Sequence, residues 1–303
     1  MKKPKILVSL LTNQNHYQRR QESAALEMGQ RLGVDVQVIY ANNDAITQSE
    51  QMLNAIQAPQ SRPDGIICYP VGTTLHQAAR QAASAGIGWA VLNRECDYIA
   101  ELRGISKAPF FSVTTNNDEI GRIQGRQIAK LSPGSGMVLH LIGPSVSSIV
   151  HRRTSGMQST KPAGIQIRTL AGDWSETGGY NVVSRWLQLK TAADTPVTLV
   201  AAQNDDMAVG ARRAFEEKTS GSQRERWTHV PYIGCDCCPG AGETWVHKGL
   251  LTASIVNPAT AGMAVELMAR AIQTNTQPAE RTVVEPTSYP PLETLTPAPA
   301  SAS

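Results

Sequence analysis

The chain has 303 residues, 41% hydrophobic and 17% charged, which is the composition of an ordinary globular protein. It exceeds the ~100–150 residues of one typical domain, so two lobes of similar size are expected. The formal net charge of +3 and the scatter of Arg19-Arg20, Arg152-Arg153 and Arg212-Arg213 among acids exclude the basic stripe that a nucleic-acid backbone demands, and no apolar run reaches the ~18–20 residues of a membrane span.

Met1-Lys-Lys-Pro leads straight into a short strand, Lys5 to Leu11, with no signal peptide. The protein is therefore expected in the cytoplasm as it stands, or in the periplasm or another extracytoplasmic space if a leader has been removed. Further strands at Asp35 to Ala41, Gly65 to Val71 and Gly88 to Asn93 alternate with helical stripes, the signature of βαβ units and a parallel sheet. The stripes are Ala25, Met28 and Leu32; Ile46, Leu53 and Ile56; and Leu75, Ala78, Ala79 and Ala82. After a strand at Phe110 to Thr115 and a helix carrying Ile120, Ile123 and Ile128, the same rhythm restarts. Met137 to Gly143, Ile165 to Ala171, Thr198 to Ala202 and Val230 to Cys235 are the strands of a second lobe, with helices around Gly156, from Tyr180 to Leu189 and from Met207. The fold class is α/β, two doubly wound parallel-sheet lobes. Leu251 to Val256, a helix with Met263, Ala264, Leu267, Met268 and Ala271, and Arg281 to Glu285 follow. The prolines beyond Pro286 predict a surface or disordered tail.

Val200-Ala-Ala-Gln-Asn-Asp-Asp-Met is the stretch where chemistry is expected, because an apolar strand breaks into polar residues and then becomes a helix. Ligands in open α/β sheets bind outside such carboxyl ends. Asn204 is expected to face the crevice while Asp205 or Asp206 caps the helix. The other strand ends carry Gln14, His16 and Tyr17; Asn93 and Arg94; Arg153; Trp174; Asp236; and Asn257. Planar polar groups with an aromatic plate suit a sugar, whose hydroxyls donate and accept while its C–H face packs on a ring. Each residue also has a plainer reading as a turn former, a buried aromatic or half of an ion pair. The five cysteines form no disulfide framework, and Cys235-Asp-Cys-Cys238 lacks the second ligand pair of a zinc site. Those cysteines are expected as small buried residues at a strand end, and no metal or cofactor is expected.

On Val200 to Ala211, on Ile233-Gly-Cys-Asp236 with Gly249 to Ile255, and on Arg153-x-x-Gly156, the chain resembles the type I periplasmic-binding-protein family, the ribose- and galactose-binding proteins of ABC transporters, whose fold also forms the core of lac-repressor-like regulators. The resemblance implies two lobes joined by three crossovers near Thr115, Asn257 and Thr282, with a sugar in the cleft and closure by hinge bending. Residues 1–115 with 258–282 would form one lobe, 116–257 with 283–291 the other, and 292–303 a tail. It also implies that the strand-end residues named above are the ligand contacts, with Trp174 stacking. This chain departs from the family with Asn at 93 in place of Asp, His16 in place of an aromatic plate, and Asn257 in place of Gln. The expected partners are a sugar or polyol and an ABC permease, with the protein a monomer. A second class of function is a cytoplasmic sugar sensor without a helix-turn-helix. A third, catalysis, meets no Walker loop, no G-x-S-x-G and no paired carboxylates across a scissile bond.

Overall fold

The computed structural model describes residues 3–72, 75–94, 96–192 and 195–297. The chain divides into two compact units, residues 1–115 with 258–284 and residues 116–257 with 285–303. In chain order the first unit holds β1 (Lys5–Leu10), α1 (His16–Leu32), β2 (Asp35–Tyr40), α2 (Ala45–Gln57), β3 (Gly65–Cys68), α3 (His76–Ser84), β4 (Gly88–Leu92), α4 (Tyr98–Ile105) and β5 (Phe110–Thr115). The second holds α5 (Asn117–Leu131), β6 (Ser135–Ile142), α6 (Ser148–Thr160), β7 (Gly164–Ala171), α7 (Glu176–Leu187), β8 (Val197–Ala202), α8 (Asp205–Lys218), α9 (Gly221–His229), β9 (Tyr232–Ile233), α10 (Gly242–His247) and β10 (Ser254–Val256). The chain then returns to the first unit for α11 (Thr260–Thr274) and β11 (Arg281–Val284), and β12 (Thr287–Tyr289) lies in the second.

Unit 1 is a six-stranded parallel sheet in the order β2-β1-β3-β4-β5-β11. Unit 2 repeats the beginning of that order as β7-β6-β8-β9, again parallel. In both, the strand order reverses beside the first strand, which is where open α/β sheets leave a crevice for ligands.

One of the apolar stripes buries completely. Leu75, at the start of α3, and Ala78, Ala79 and Ala82 on it pack with Trp89 and Phe110 in the unit 1 core, all fully buried. In unit 2, Phe215 stacks on Trp227 with ring centroids 3.8 Å apart, while Trp186 meets both edge-on. Burying such a side chain contributes roughly 1.5–3 kcal/mol against leaving it in water. Glycines let α5 and α6 approach closely: a Cβ on Gly121 would collide with the Arg153 carbonyl, and one on Gly156 with that of Asp118. That contact seats α6, the helix that carries Arg153.

Four expectations need correction. Ile46 is 71% exposed, and α2 instead buries Gln48, Met52 and Ile56. Met263 likewise lies at the edge of its helix's buried stripe, 37% exposed. The third passage between units falls between Val284 and Glu285 rather than near Thr282, because Val283 and Val284 still pair with Thr114 and Thr115. The segment expected as a tail forms β12 and then a 3-10 turn at Leu292–Thr294, where Leu295 is buried and Leu292 packs against the same core. Its last residues, 298–303, lie outside the described residues. The short helices α4, α9 and α10 escaped the sequence reading; α9 buries only Trp227 and so shows no stripe.

Candidate functional site

In unit 1 the loop after β1 places Gln14 on the surface, while Asn15 caps α1 by accepting from Gln18 N. His16 opens the helix half-buried, and Tyr17 beside it is buried. The Tyr17 hydroxyl donates to the Pro258 carbonyl at 3.2 Å and accepts from Asn93 Nδ2 at 3.1 Å. Asn93 Oδ1 in turn accepts from Thr115 N at 3.0 Å. Asn93 stands at the end of β4 with φ +52°, a left-handed conformation that Asn tolerates better than most residues. Thus Gln14, His16, Tyr17, Asn93 and Arg94 all lie at the carboxyl ends of β1 and β4. Tyr17 and Asn93 are also bonded into the frame where the chain leaves the unit. Arg94 is half-buried, and its Nε has no acceptor among the described residues.

Unit 2 brings together its own five residues. Arg153, on α6 and 6% exposed, donates from Nε to Asn117 Oδ1 at 2.9 Å and from Nη1 to the Gln203 carbonyl at 2.6 Å. Its guanidinium lies 5.8 Å from the Trp174 ring centroid, within cation–π range. Trp174 has φ +71°, and its indole lies against Gly143, where a Cβ would collide with the ring. The half-buried ring is therefore held in place by the backbone on one side.

Asn204 corrects the expectation for the polar break. It is itself the cap of α8, its side chain accepting from Met207 N at 3.0 Å, because the helix begins at Asp205. Its Nδ2 donates to the Trp174 carbonyl at 2.8 Å, so it also ties the plate to the strand end. Asp205 does not cap. Its buried carboxylate accepts from Cys237 N and Ser254 Oγ, both at 2.6 Å, and Gly234 and Gly242 leave room for it. Burial and the neighbouring Asp236 push its pKa well above the usual carboxylate range.

Asp236 has φ +108° and accepts from Asn257 Nδ2 at 2.9 Å. Burial outweighs the pull of the Arg153 guanidinium and pushes its carboxyl up to about 7. Such a group can accept a hydroxyl proton or, protonated, donate one. Cys235, Cys237 and Cys238 are buried around it, their thiols pushed up by burial, Cys237 to about 12. They are protonated at neutral pH, and no group of three His, Cys, Asp or Glu side chains among the described residues could hold a metal ion. No helix among the described residues is long and apolar enough to cross a membrane.

Two further residues join these strand ends. Gln203 donates from Nε2 to Val150 O and Thr154 Oγ1, bracing α6 against β8. Tyr69, buried, follows β3 in unit 1 as Gln203 follows β8 in unit 2. Running the third strand on to Val71 hid Tyr69; the Tyr69-Pro70 step was the available signal.

Residues 6–276 match the family model described as "Periplasmic binding protein domain". The chain is 32% identical over 190 residues to a putative rhizopine-binding protein of Rhizobium meliloti, an alignment covering 61% of this chain and 58% of the relative. It is 34% identical over 146 residues to a ribose import binding protein of Salmonella typhimurium, covering 47% and 45%. The chain spans about half the length of the curated relatives it matches. A solved ABC transporter periplasmic solute binding protein from Actinobacillus succinogenes with bound D-allose superposes with a TM-score of 0.79 over 94% of this chain and 97% of the other. At 23% identity that likeness shows the fold.

Proposed function

We propose, from the premise that this chain belongs to the periplasmic binding protein domain family, that it is a non-enzymatic receptor for a monosaccharide or related polyol. It would present its ligand to an ABC permease, acting as a monomer in an extracytoplasmic space. The observation that carries this reading is the unit 2 cluster: a buried guanidinium, a carboxyl poised to donate or accept, and an indole face within 6 Å of the guanidinium. Hydroxyls that both donate and accept are matched by Asp236 and Arg153, and a sugar's C–H face by Trp174. From unit 1, Arg94 would offer its buried Nε and Gln14 and His16 their side chains. Asn93, Tyr17, Asn204 and Asn257 would shape these surfaces with whatever donors and lone pairs their framework bonds leave over. The relatives described as ribose- and rhizopine-binding support a polyhydroxylated ligand. Asp205, the buried carboxylate that faces Asp236 electrostatically, is taken up by Cys237 N and Ser254 Oγ.

A thermal-shift screen against pentoses, hexoses, polyols and phosphorylated sugars tests the proposal. A ligand at 100 times its dissociation constant adds about 2.7 kcal/mol, a rise of several degrees. One stereospecific hit that Arg94→Ala and Trp174→Ala each abolish is the expected result. Full-strength binding in both variants would rule out the assigned residues, and turnover of the hit would rule out a pure receptor.

A further inference from the structure

Asp236 and Cys237 are consecutive residues with positive φ, +108° and +46°. Neither is glycine, and such backbone in an L-residue persists only where the surrounding structure holds it. On the strand side β10 does so: Asp236 N donates to Ile255 O at 2.9 Å, and Asn257 N donates to the Asp236 carbonyl at 3.4 Å. That ladder ends at Asp236, and a different residue holds Cys237.

That residue is Asp205, the first of α8. Its N–H donates to the Cys235 carbonyl at 2.7 Å, and its Oδ2 accepts from Cys237 N at 2.6 Å. The two bonds grip the peptide groups on either side of Asp236 and close a ring around it. Oδ1 of the same carboxyl accepts from Ser254 Oγ at 2.6 Å, which fixes the clasp to β10. The clasp fits tightly: a Cβ on Gly234 would collide with Oδ1, and one on Gly242 with Oδ2. Burying a carboxyl is costly, and capping does not call for it, since Asn204 caps α8. The clasp instead decides where the Asp236 side chain goes. Asp236 Oδ1 accepts from Asn257 Nδ2 at 2.9 Å and lies 3.8 Å from Cys235 Sγ, while Oδ2 has no donor among the described residues.

We propose that Asp205 is a positioning residue of the ligand site: by clasping the peptide groups around Asp236 it keeps the turn left-handed and aims Asp236 Oδ2 at the ligand. The inference rests on the reading of Asp236 as a ligand contact. Without the clasp Cys237 relaxes to negative φ, the chain leaves β10 in another direction, and the Asp236 carboxyl swings out of its buried slot. Two substitutions separate the clasp from the charge. Asp205→Asn removes the charge but keeps an oxygen for Cys237 N and offers an amide to the Ser254 hydroxyl, which can accept. Asp205→Ala removes charge and clasp together.

The Asp236 carboxyl, followed by carbon-13 NMR of the full chain across pH, reports the clasp without any ligand. The titratable and charged groups around it are Arg153 on α6, Asp205 and Asp206 on α8, and the neighbouring Cys235 and Cys238. It should titrate near 7 in the wild type, stay raised in Asp205→Asn, and fall towards 3.8 in Asp205→Ala as the group reaches water. Binding of D-ribose, D-glucose and myo-inositol, read by calorimetry, supplies the second readout. Whichever sugar the wild type takes should bind within about threefold in Asp205→Asn and about tenfold or more weakly in Asp205→Ala. Ser254→Ala, which frees only Oδ1, should move both readouts the same way by less, and it carries the test if Asp205→Ala does not fold. An Asp236 titration unchanged in Asp205→Ala and Ser254→Ala, or equal effects of Asn and Ala at 205, would overturn the proposal. A wild type that takes none of the three sugars would count against Asp236 as their contact, while the titration still decides whether Asp205 holds it.

Discussion

Asn93 and Asp236 occupy the same slot in two similarly wound sheets, and they differ in that one carries an amide and the other an ionisable carboxyl. Each follows the fourth strand of its series with a positive φ. Asn93 N donates to Val113 O, and Asp236 N donates to Ile255 O, both at 2.9 Å. Each side-chain oxygen then accepts from a residue two positions further on, Thr115 N or Asn257 Nδ2, just before the chain leaves that unit. The backbone problem is the same, and a short planar side chain solves it twice. The difference extends beyond this slot. Among the described residues, the fully buried polar groups of unit 1 are all uncharged, whereas unit 2 buries Arg153, Asp205, Asp206, Asp236 and His140. Unit 1 thus supplies neutral hydrogen-bonding frame, and unit 2 bears the desolvation of charge.

The largest expected effect breaks that contrast at its centre. Arg153→Met removes the cation beside Asp236 and the bonds to Asn117 and Gln203. A loss of ~3–5 kcal/mol in urea unfolding is expected, as for other buried charges stripped of a partner. A loss under about 1 kcal/mol would mean that unit 2's charges are solvated after all.

The pH dependence sharpens the comparison next. Folded Asp236 keeps its proton up to about pH 7, whereas the unfolded carboxyl releases it near 3.8. Stability from this group is full below 3.8 and falls as pH rises to about 7, by up to ~4 kcal/mol. His140, which burial lowers to about 4, acts in the opposite sense: the folded state resists its protonation, so stability falls as pH drops from 6.5 towards 4. Asp236→Asn should therefore remove this group's share of the fall, leaving a profile that declines less steeply between about pH 4 and 7 while the similarly raised Asp205 keeps the rest, read by denaturant titrations at each pH. An unchanged profile would refute the raised carboxyl.

A smaller effect comes from the helix cap. Asn204→Ala forfeits the bond from Met207 N and the tie to Trp174, and a cost of ~1–2 kcal/mol is expected. The corresponding Asp205→Ala should lower stability through Cys237 and Ser254 rather than through the helix, so amide exchange at Met207 separates the two roles. The smallest is in unit 1, where Tyr17→Phe removes one neutral hydroxyl and should cost about 1 kcal/mol. A cost equal to that of Arg153→Met would erase the distinction between the units.

Sequence alone determined the α/β alternation, because a buried parallel strand needs a continuous apolar run and its covering helix a stripe at 3.6-residue spacing. The stripe on α3 and the strand Phe110–Thr115 were readable to the residue for that reason. It also singled out the polar break after Ala202, since four consecutive polar residues end an apolar strand pattern. What tertiary structure decided was which of those residues does what. Asn204 and Asp205 are equally good caps in isolation, and only the approach of Cys237 and Ser254 draws Asp205 inward and leaves the cap to Asn204. Likewise Leu295 reads as part of a Pro-rich tail until Ile128, Leu131 and their neighbours provide an apolar surface for it. The raised pKa of Asp236 has no sequence signature at all. It arises from burial, with Asp206 adding to it and Arg153 opposing it, residues 30 and 83 positions away that only folding brings together.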